Sequence, residues 1–271
     1  MLTDYSRPLS WTQRLRQALR ASRQSRNPLI RAVAGLLFEA REALRAAHAF
    51  LTDGTYRSVA LVRWLRPGAV HQTTVLTWLD RYPQIFRACR EYFGQRHDLR
   101  LLSFGCSTGE EVLTLRAYFP SAWITGAEIN RRSLAACRAQ MVDNRTSFVY
   151  STRRAIRARG PFDAIFCMAV LQRTPHTVEG EGITSLQDIY PFEKFERQIS
   201  ELDSLLRPGG LLIVHHAQYR VRDTTVATRY TLLTVPDLPP DRLPLFDRNS
   251  VLIPGGTRDG SIFVKHMEGL A

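Results

Sequence analysis

The chain has 271 residues, 44% hydrophobic and 23% charged, which supplies a globular core and excludes a disordered polyelectrolyte. No apolar run reaches the roughly 18 residues that span a bilayer; the stretch Ala32–Phe38 stops at Glu39. The net charge of +12 is concentrated early, because residues 1–100 hold 17 Arg, no Lys and 7 acids, a balance of +10.

Such a basic front admits nucleic acid or an anionic surface as partner, and equally the solvated faces of Arg-rich helices. Residues 5–31 are Arg-rich and free of acids, the composition of a transit peptide, but a basic structural helix is the plainer reading and the expected location is cytoplasmic. Cys89, Cys106, Cys137 and Cys167 form no CxxC and no metal-ligand spacing, so they read as small buried residues in a reducing compartment, and no metal is expected.

In chain order, residues 8–96 read as helices. Ser10 caps a segment whose apolar positions Trp11, Leu15 and Leu19 recur at helical spacing. Ala32–Leu51 follows and ends at Asp53-Gly54; Tyr56–Leu65 ends before Pro67-Gly68; Thr73–Phe93 is bent near Pro83. From residue 97 the pattern changes to strands alternating with helices. Leu101–Gly105, Ala122–Ile129, Ser147–Tyr150, Phe162–Leu171 and Leu211–His215 are strands; Glu110–Tyr118, Arg132–Met141 and Phe192–Leu206 are helices. Near the end, Leu243–Phe246 and Ser261–His266 read as an antiparallel hairpin at the sheet edge. The expected architecture is α/β: a helical accessory or cap region over 1–96, leaving room for a homodimer contact, and a Rossmann-like, seven-stranded, mostly parallel domain over 97–271 with helices on both faces.

In such sheets ligands bind beyond the carboxyl ends of the strands. The first strand runs into Gly105-Cys106-Ser107-Thr108-Gly109, small residues that let backbone approach a ligand, and Ser107 or Thr108 can cap the next helix. The turn lacks the dinucleotide fingerprint. Glu110 and Glu111 occupy the first helical turn, where they complement the dipole but would repel a pyrophosphate; a cationic ligand such as the sulfonium of S-adenosylmethionine suits them better. Glu128 ends the second strand 23 residues beyond Gly105, the place of a carboxylate that accepts hydrogen bonds from ribose hydroxyls.

Residues 104–111, Phe-Gly-Cys-Ser-Thr-Gly-Glu-Glu, resemble the cofactor motif of class I S-adenosylmethionine-dependent methyltransferases, in the form carried by chemotaxis receptor methyltransferases. The class resemblance extends over 97–271 through Glu128, FDAIFCMAVL at 162–171 and LLRPGGLLIV at 205–214. It implies that Gly105, Cys106, Ser107, Thr108, Gly109 and Glu110 line the cofactor and that Glu128, with Ile129, holds the ribose. It also implies that Tyr150 and Ser151 pass the adenine and that Cys167 and Met168 flank the methyl donor. The resemblance to the chemotaxis enzymes stops after the fourth strand, where their Arg-Asn is Met168-Ala169.

On the acceptor side, His215, His216 and Tyr219 follow the fifth strand; strand alternation sends one histidine to each face, and either a base or a hydrogen-bonded strand-end histidine satisfies the pattern. Residues 173–190 read as a lid or binding loop. The motifs of exocyclic-amine and cytosine C5 enzymes are absent, which disfavours nucleic acid. The expected function is methyl transfer to an O or N atom of a small-molecule acceptor, such as a natural product. The alternatives are a protein glutamate O-methyltransferase and a non-catalytic cofactor-binding sensor or scaffold.

Overall fold

From Arg100 onward the apolar runs fold as one sheet covered on both faces. The computed structural model describes residues 27–72, 74, 76–241 and 243–267; the expected helix through Trp11 and Leu19 lies outside them. The described residues up to Ala60 form one compact unit and those from Leu61 form another. In the first, α1 spans Pro28–Thr52, with Asn27 accepting the Leu29 amide at 3.0 Å. Asp53 breaks the helix and its Oδ1 accepts the Thr55 and Tyr56 amides, at 2.7 and 3.1 Å, to start α2, Gly54–Leu65, which runs on into the second unit. Among the described residues no helix is long and apolar enough to cross a membrane.

The second unit holds α3 (Pro83–Phe93), β1 (Arg100–Phe104), α4 (Glu110–Tyr118), β2 (Trp123–Glu128), α5 (Arg131–Arg138) and β3 (Thr146–Tyr150). There follow α6 (Arg153–Arg157), β4 (Phe162–Met168), α7 (Pro175–Gly180), α8 (Phe192–Asp203), β5 (Leu206–His215), β6 (Tyr230–Leu233) and β7 (Ile262–Lys265). The strand order is β3-β2-β1-β4-β5-β7-β6. β1 to β5 are parallel, and β7 runs antiparallel between β5 and β6. Strands buried on both faces carry near-continuous apolar sequence, as Phe162–Met168 does. One face packs Leu102, Ile165, Cys167 and Val214 against Phe195, Ile199 and Leu202 of α8. The other packs Leu101, Phe166, Met168 and Ile213 against Ile85, Phe86 and Cys89 of α3 and Val112 and Leu115 of α4.

Two expectations change. Pro83 opens α3 rather than bending a longer helix, because proline at the first position gives up an N–H that has no helical partner there. The run Leu243–Phe246 is not a sheet strand. It contains Pro244, and the Phe246 amide donates to the Gln218 carbonyl at 2.9 Å while its ring fills the core. The strand that partners β7 is Tyr230–Leu233 instead.

The exits of β1 to β5 lie on one edge, and the chain order reverses between β1 and β4. Residues 66–72 and 76–82 touch that edge at several exits. The Arg66 guanidinium stands over the Tyr150 ring at 5.7 Å, and His71 bonds Tyr190 Oη at 2.7 Å and Gln198 Oε1 at 3.2 Å. The Asp80 amide donates to Thr114 Oγ1 at 2.9 Å, and Tyr82 meets the ring of His215.

Candidate active site

The turn after β1 is joined to the end of β2 by one carboxylate. Glu128 is buried, and its Oε2 accepts the Ser107 amide at 2.9 Å while Oε1 accepts the Asn130 amide at 2.7 Å. Burial raises its pKa, and the amides of Asn130, Ser107 and Ile129 pull it back, so the carboxylate is held by dipoles rather than by a cation. Three amides leave at least one of the carboxylate's four lone-pair sites for a ligand hydroxyl.

Gly105 and Gly109 are both left-handed, with φ of +76° and +104°. A Cβ on Gly105 would stand 2.7 Å from Val170 Cγ2, and one on Gly109 2.9 Å from Gln140 Oε1, so neither position admits a larger residue. Ser107 takes φ of +52° between them, a strained value for a side-chain-bearing residue, and its buried Oγ has no partner among the described residues. Backbone strain, bare glycines and an orphaned hydroxyl beside a buried carboxylate fit the ribose and methionine ends of S-adenosylmethionine.

Other residues expected to line that ligand play different parts. The Cys106 side chain is buried away from the edge, with its sulfur 3.9 Å from that of Cys137. Thr108 does not cap α4; its Oγ1 donates to the Glu110 carboxylate at 2.7 Å, and its carbonyl accepts from Gln140 Nε2 at 2.6 Å. Gln140 lies too far along the chain for a local pattern to reveal it. Ile129 and Ser151 are partly exposed at the exits of β2 and β3. Tyr150 lies between the Arg66 and Arg131 guanidinium groups and borders a groove of about 610 Å³ shared with Leu134 and Arg138. Met168 closes β4 on the α3 face, but Cys167 is turned into the opposite core, where burial pushes its thiol well up.

The acceptor side corrects two expectations. His216 adopts φ of +52°, which breaks the strand alternation, so both histidines lie against Tyr82, with ring centroids 4.8 Å away for His215 and 5.4 Å for His216. Tyr219 is core rather than catalytic. It is 2% exposed, and its hydroxyl donates to the Tyr190 carbonyl amid Phe192, Phe195 and Phe246.

The two histidines differ in environment. His215 bonds Ser261 Oγ through Nδ1 at 2.8 Å, and burial, reinforced by His216, lowers it to about 3, which keeps it neutral. His216 is half-buried and its Nδ1 stands 3.0 Å from Asp241 Oδ1, while Arg258 Nε stands 3.2 Å from the other oxygen of Asp241. The Tyr82 hydroxyl is buried without a partner among the described residues.

Nearby, Glu111 accepts from Ser103 Oγ at 2.7 Å, and burial raises its carboxyl to about 7 against the pull of Ser103 and Arg81. A carboxyl raised on folding makes its stabilising contribution below its unfolded pKa and loses it as pH rises through the folded value. Stability should therefore fall between about pH 4.5 and 7 by on the order of 3 kcal/mol from this residue. Glu111→Gln should remove that slope, matching wild type near pH 4 and exceeding it near pH 8 in thermal unfolding. Parallel curves for the two proteins would contradict the assignment.

Comparisons with known proteins bear on this geometry. Residues 102–214 match the family described as a methyltransferase domain. An uncharacterized protein of Synechococcus sp. is 29% identical over 140 residues, which are 50% of this chain and 29% of that one. The plantazolicin methyltransferase solved with SAH is 12% identical, with a TM-score of 0.36, over 62% of this chain and 56% of that one. An amino pentose methyltransferase from Micromonospora echinaspora, solved with SAM, is 21% identical, with a TM-score of 0.35, over 51% of this chain and 50% of that one. The chain thus spans under a third of the length of the curated relative and about half of these solved chains. Scores at this level leave the architecture to rest on the strand order itself. Residues 102–214 are thus similar to a methyltransferase domain in sequence, and the sheet that they build has the order β3-β2-β1-β4-β5-β7-β6.

Proposed function

We propose that the protein transfers a methyl group from S-adenosylmethionine to an oxygen or nitrogen atom of a small-molecule acceptor. The observation that carries this reading is the join between the 105–109 turn and the Glu128 carboxylate at the point where strand order reverses. When bound, the cofactor supplies an activated methyl group on a sulfonium centre. Glu128 would hold the ribose hydroxyls, Gly105 and Gly109 would let the main chain lie against the methionine end, and Met168 would stand beside the sulfur.

The remaining work is alignment and proton removal, and alignment alone is worth on the order of 7–11 kcal/mol in favourable intramolecular cases. His216 is the base in this reading. Its Nδ1 stands 3.0 Å from Asp241 Oδ1, a contact that would orient the ring for Nε2 to take the acceptor proton. His215 stays neutral and packs behind it, and the unpartnered Tyr82 hydroxyl can donate to the acceptor. The contacts of residues 66–72 and 76–82 along the strand exits favour a small acceptor over a side chain of a folded protein.

Calorimetry with S-adenosylhomocysteine should give one-site binding in the micromolar range, and labelled S-adenosylmethionine should mark one class in a panel of phenols, alcohols, amines and acids. Failure to bind at millimolar concentration would sink the reading. Binding without transfer to any class would favour a sensor.

A further inference from the structure

Several cations around the sheet are matched by acids: Arg96 and Arg207 share Asp163, and Arg229 and Lys265 share Asp203. Where α8 begins and the loop beyond β4 returns, they are not. Arg173, Lys194, Arg197 and Arg63 gather there: Arg63 acts on Arg173, and Arg173 and Arg197 act on Lys194, with Tyr190 beside Arg173 the one group of opposite sense. Glu193 and Glu196 adjoin Lys194 and Arg197 in sequence, but Glu193 is exposed, Glu196 accepts the Thr225 amide at 2.9 Å, and among the described residues neither forms an ion pair with them.

Two of the four are held in place. Lys194 Nζ donates to the carbonyls of Pro67 at 2.8 Å and Val70 at 2.7 Å and stands 5.8 Å from the centre of the Tyr190 ring, with no acid paired to it among the described residues. The Arg173 amide donates to Gln218 Oε1 at 2.6 Å, which fixes the base of its side chain. Its guanidinium makes one long contact, 3.5 Å to the His71 carbonyl, and the rest of its donors find no partner among the described residues. Both residues are half-buried, whereas Arg63 and Arg197 are exposed at the rim. Burial first, then Arg173 and Arg197, bring Lys194 down to about 8.

Half-buried like charges without a counter-ion are unfavourable, and an entering anion relieves them. The planar guanidinium fork matches a carboxylate or a phosphate bidentately, and the lysine adds a point charge. The position also suits an acceptor: Arg173 follows the β4 exit by a few residues and is tied to Gln218 just past the β5 exit. We infer that Arg173 and Lys194, with Arg197 and Arg63 at the rim, receive an oxyanion, the carboxylate or phosphate of the methyl acceptor. The word acceptor rests on the methyltransferase reading; the anion site itself does not.

The test is thermal unfolding of the full chain in inorganic phosphate or acetate, against chloride at equal ionic strength, with S-adenosylhomocysteine affinity measured in parallel. At least one oxyanion should raise the wild-type midpoint by about 2–4 °C. Stabilisation by phosphate alone assigns a phosphate group, and stabilisation by acetate assigns a carboxylate. Arg173→Gln and Lys194→Met should each lose most of that shift relative to their own chloride midpoints, and Arg157→Gln, on the far helix α6, should keep it. Lys194→Met also frees two carbonyls, so Arg173→Gln is the cleaner arm. No shift in either anion, or an undiminished shift in Arg173→Gln, overturns the inference while S-adenosylhomocysteine binding leaves the methyltransferase reading standing. Loss of S-adenosylhomocysteine binding with the anion shift intact would remove the reading and keep the site.

Discussion

His216→Ala is expected to lower kcat by about 10²–10⁴ with the acceptor class that the panel identifies, while S-adenosylhomocysteine affinity stays within about twofold. The split follows from position. His216 stands at the β5 exit on the acceptor side, across the sheet from Glu128, and its contacts are Asp241, His215 and Tyr82. Asp241→Asn should cost less than His216→Ala in rate, because the ring remains but loses the carboxylate that stands beside its Nδ1. Arg258 tests the alternative that Asp241 is merely structural. Its guanidinium donates to the carbonyls of Ala217, Asp241 and Leu243, so Arg258→Met should lower the unfolding midpoint more than the rate. A His216→Ala enzyme with wild-type kcat would show that the acceptor arrives already deprotonated, as a carboxylate does.

The second large effect belongs to Glu128→Ala. It removes the partner of two buried amides, Ser107 and Asn130, and each orphaned group costs about 1–3 kcal/mol. In the proposed reading it also removes the acceptor for the ribose hydroxyls, for which a loss of about 10²-fold in S-adenosylhomocysteine affinity is expected, the scale of a charge-assisted hydrogen-bond pair. Thermal unfolding and calorimetry separate the two. A lower midpoint with unchanged affinity would make Glu128 a clamp on the turn and nothing more. Glu128→Gln should be nearly as damaging, since its NH₂ group would confront one of the two amides.

Much of the sheet was readable because its signals are local. Leu101 to Gly109 states a buried strand, a turn needing glycine and a helix start within a few residues, and Glu128 ends its strand where the ligand carboxylate belongs. The motif's likeness to chemotaxis enzymes is confined to residues 104–111, and the domain match is to the broader family. The misread places have a common cause. Leu243–Phe246 is apolar because it is buried, a property that strands share with packed loops. Alternation put His215 and His216 on opposite faces, but one left-handed residue undoes a period of two. Tyr219 looked like a site residue beside two histidines, and the chain beyond them turns it into the core instead. Tyr82, Gln140 and Asp241 went unseen because each meets its partners across long stretches of chain, where no spacing rule operates.

The fastening of residues 66–72 and 76–82 along the strand exits has a kinetic consequence. Burial and the neighbouring Lys194 lower His71 to about 4, so the imidazole carries no charge at neutral pH and its bonds to Tyr190 and Gln198 persist there. If, as in the proposed reading, the ligand lies beneath these residues, its exit waits on their opening, and His71 adds no pH dependence to that step between pH 6 and 8. Lys194, which holds the Pro67 and Val70 carbonyls and is lowered to about 8, is the group that would loosen the segment toward alkaline pH, so release should keep one rate below about pH 7 and quicken above it.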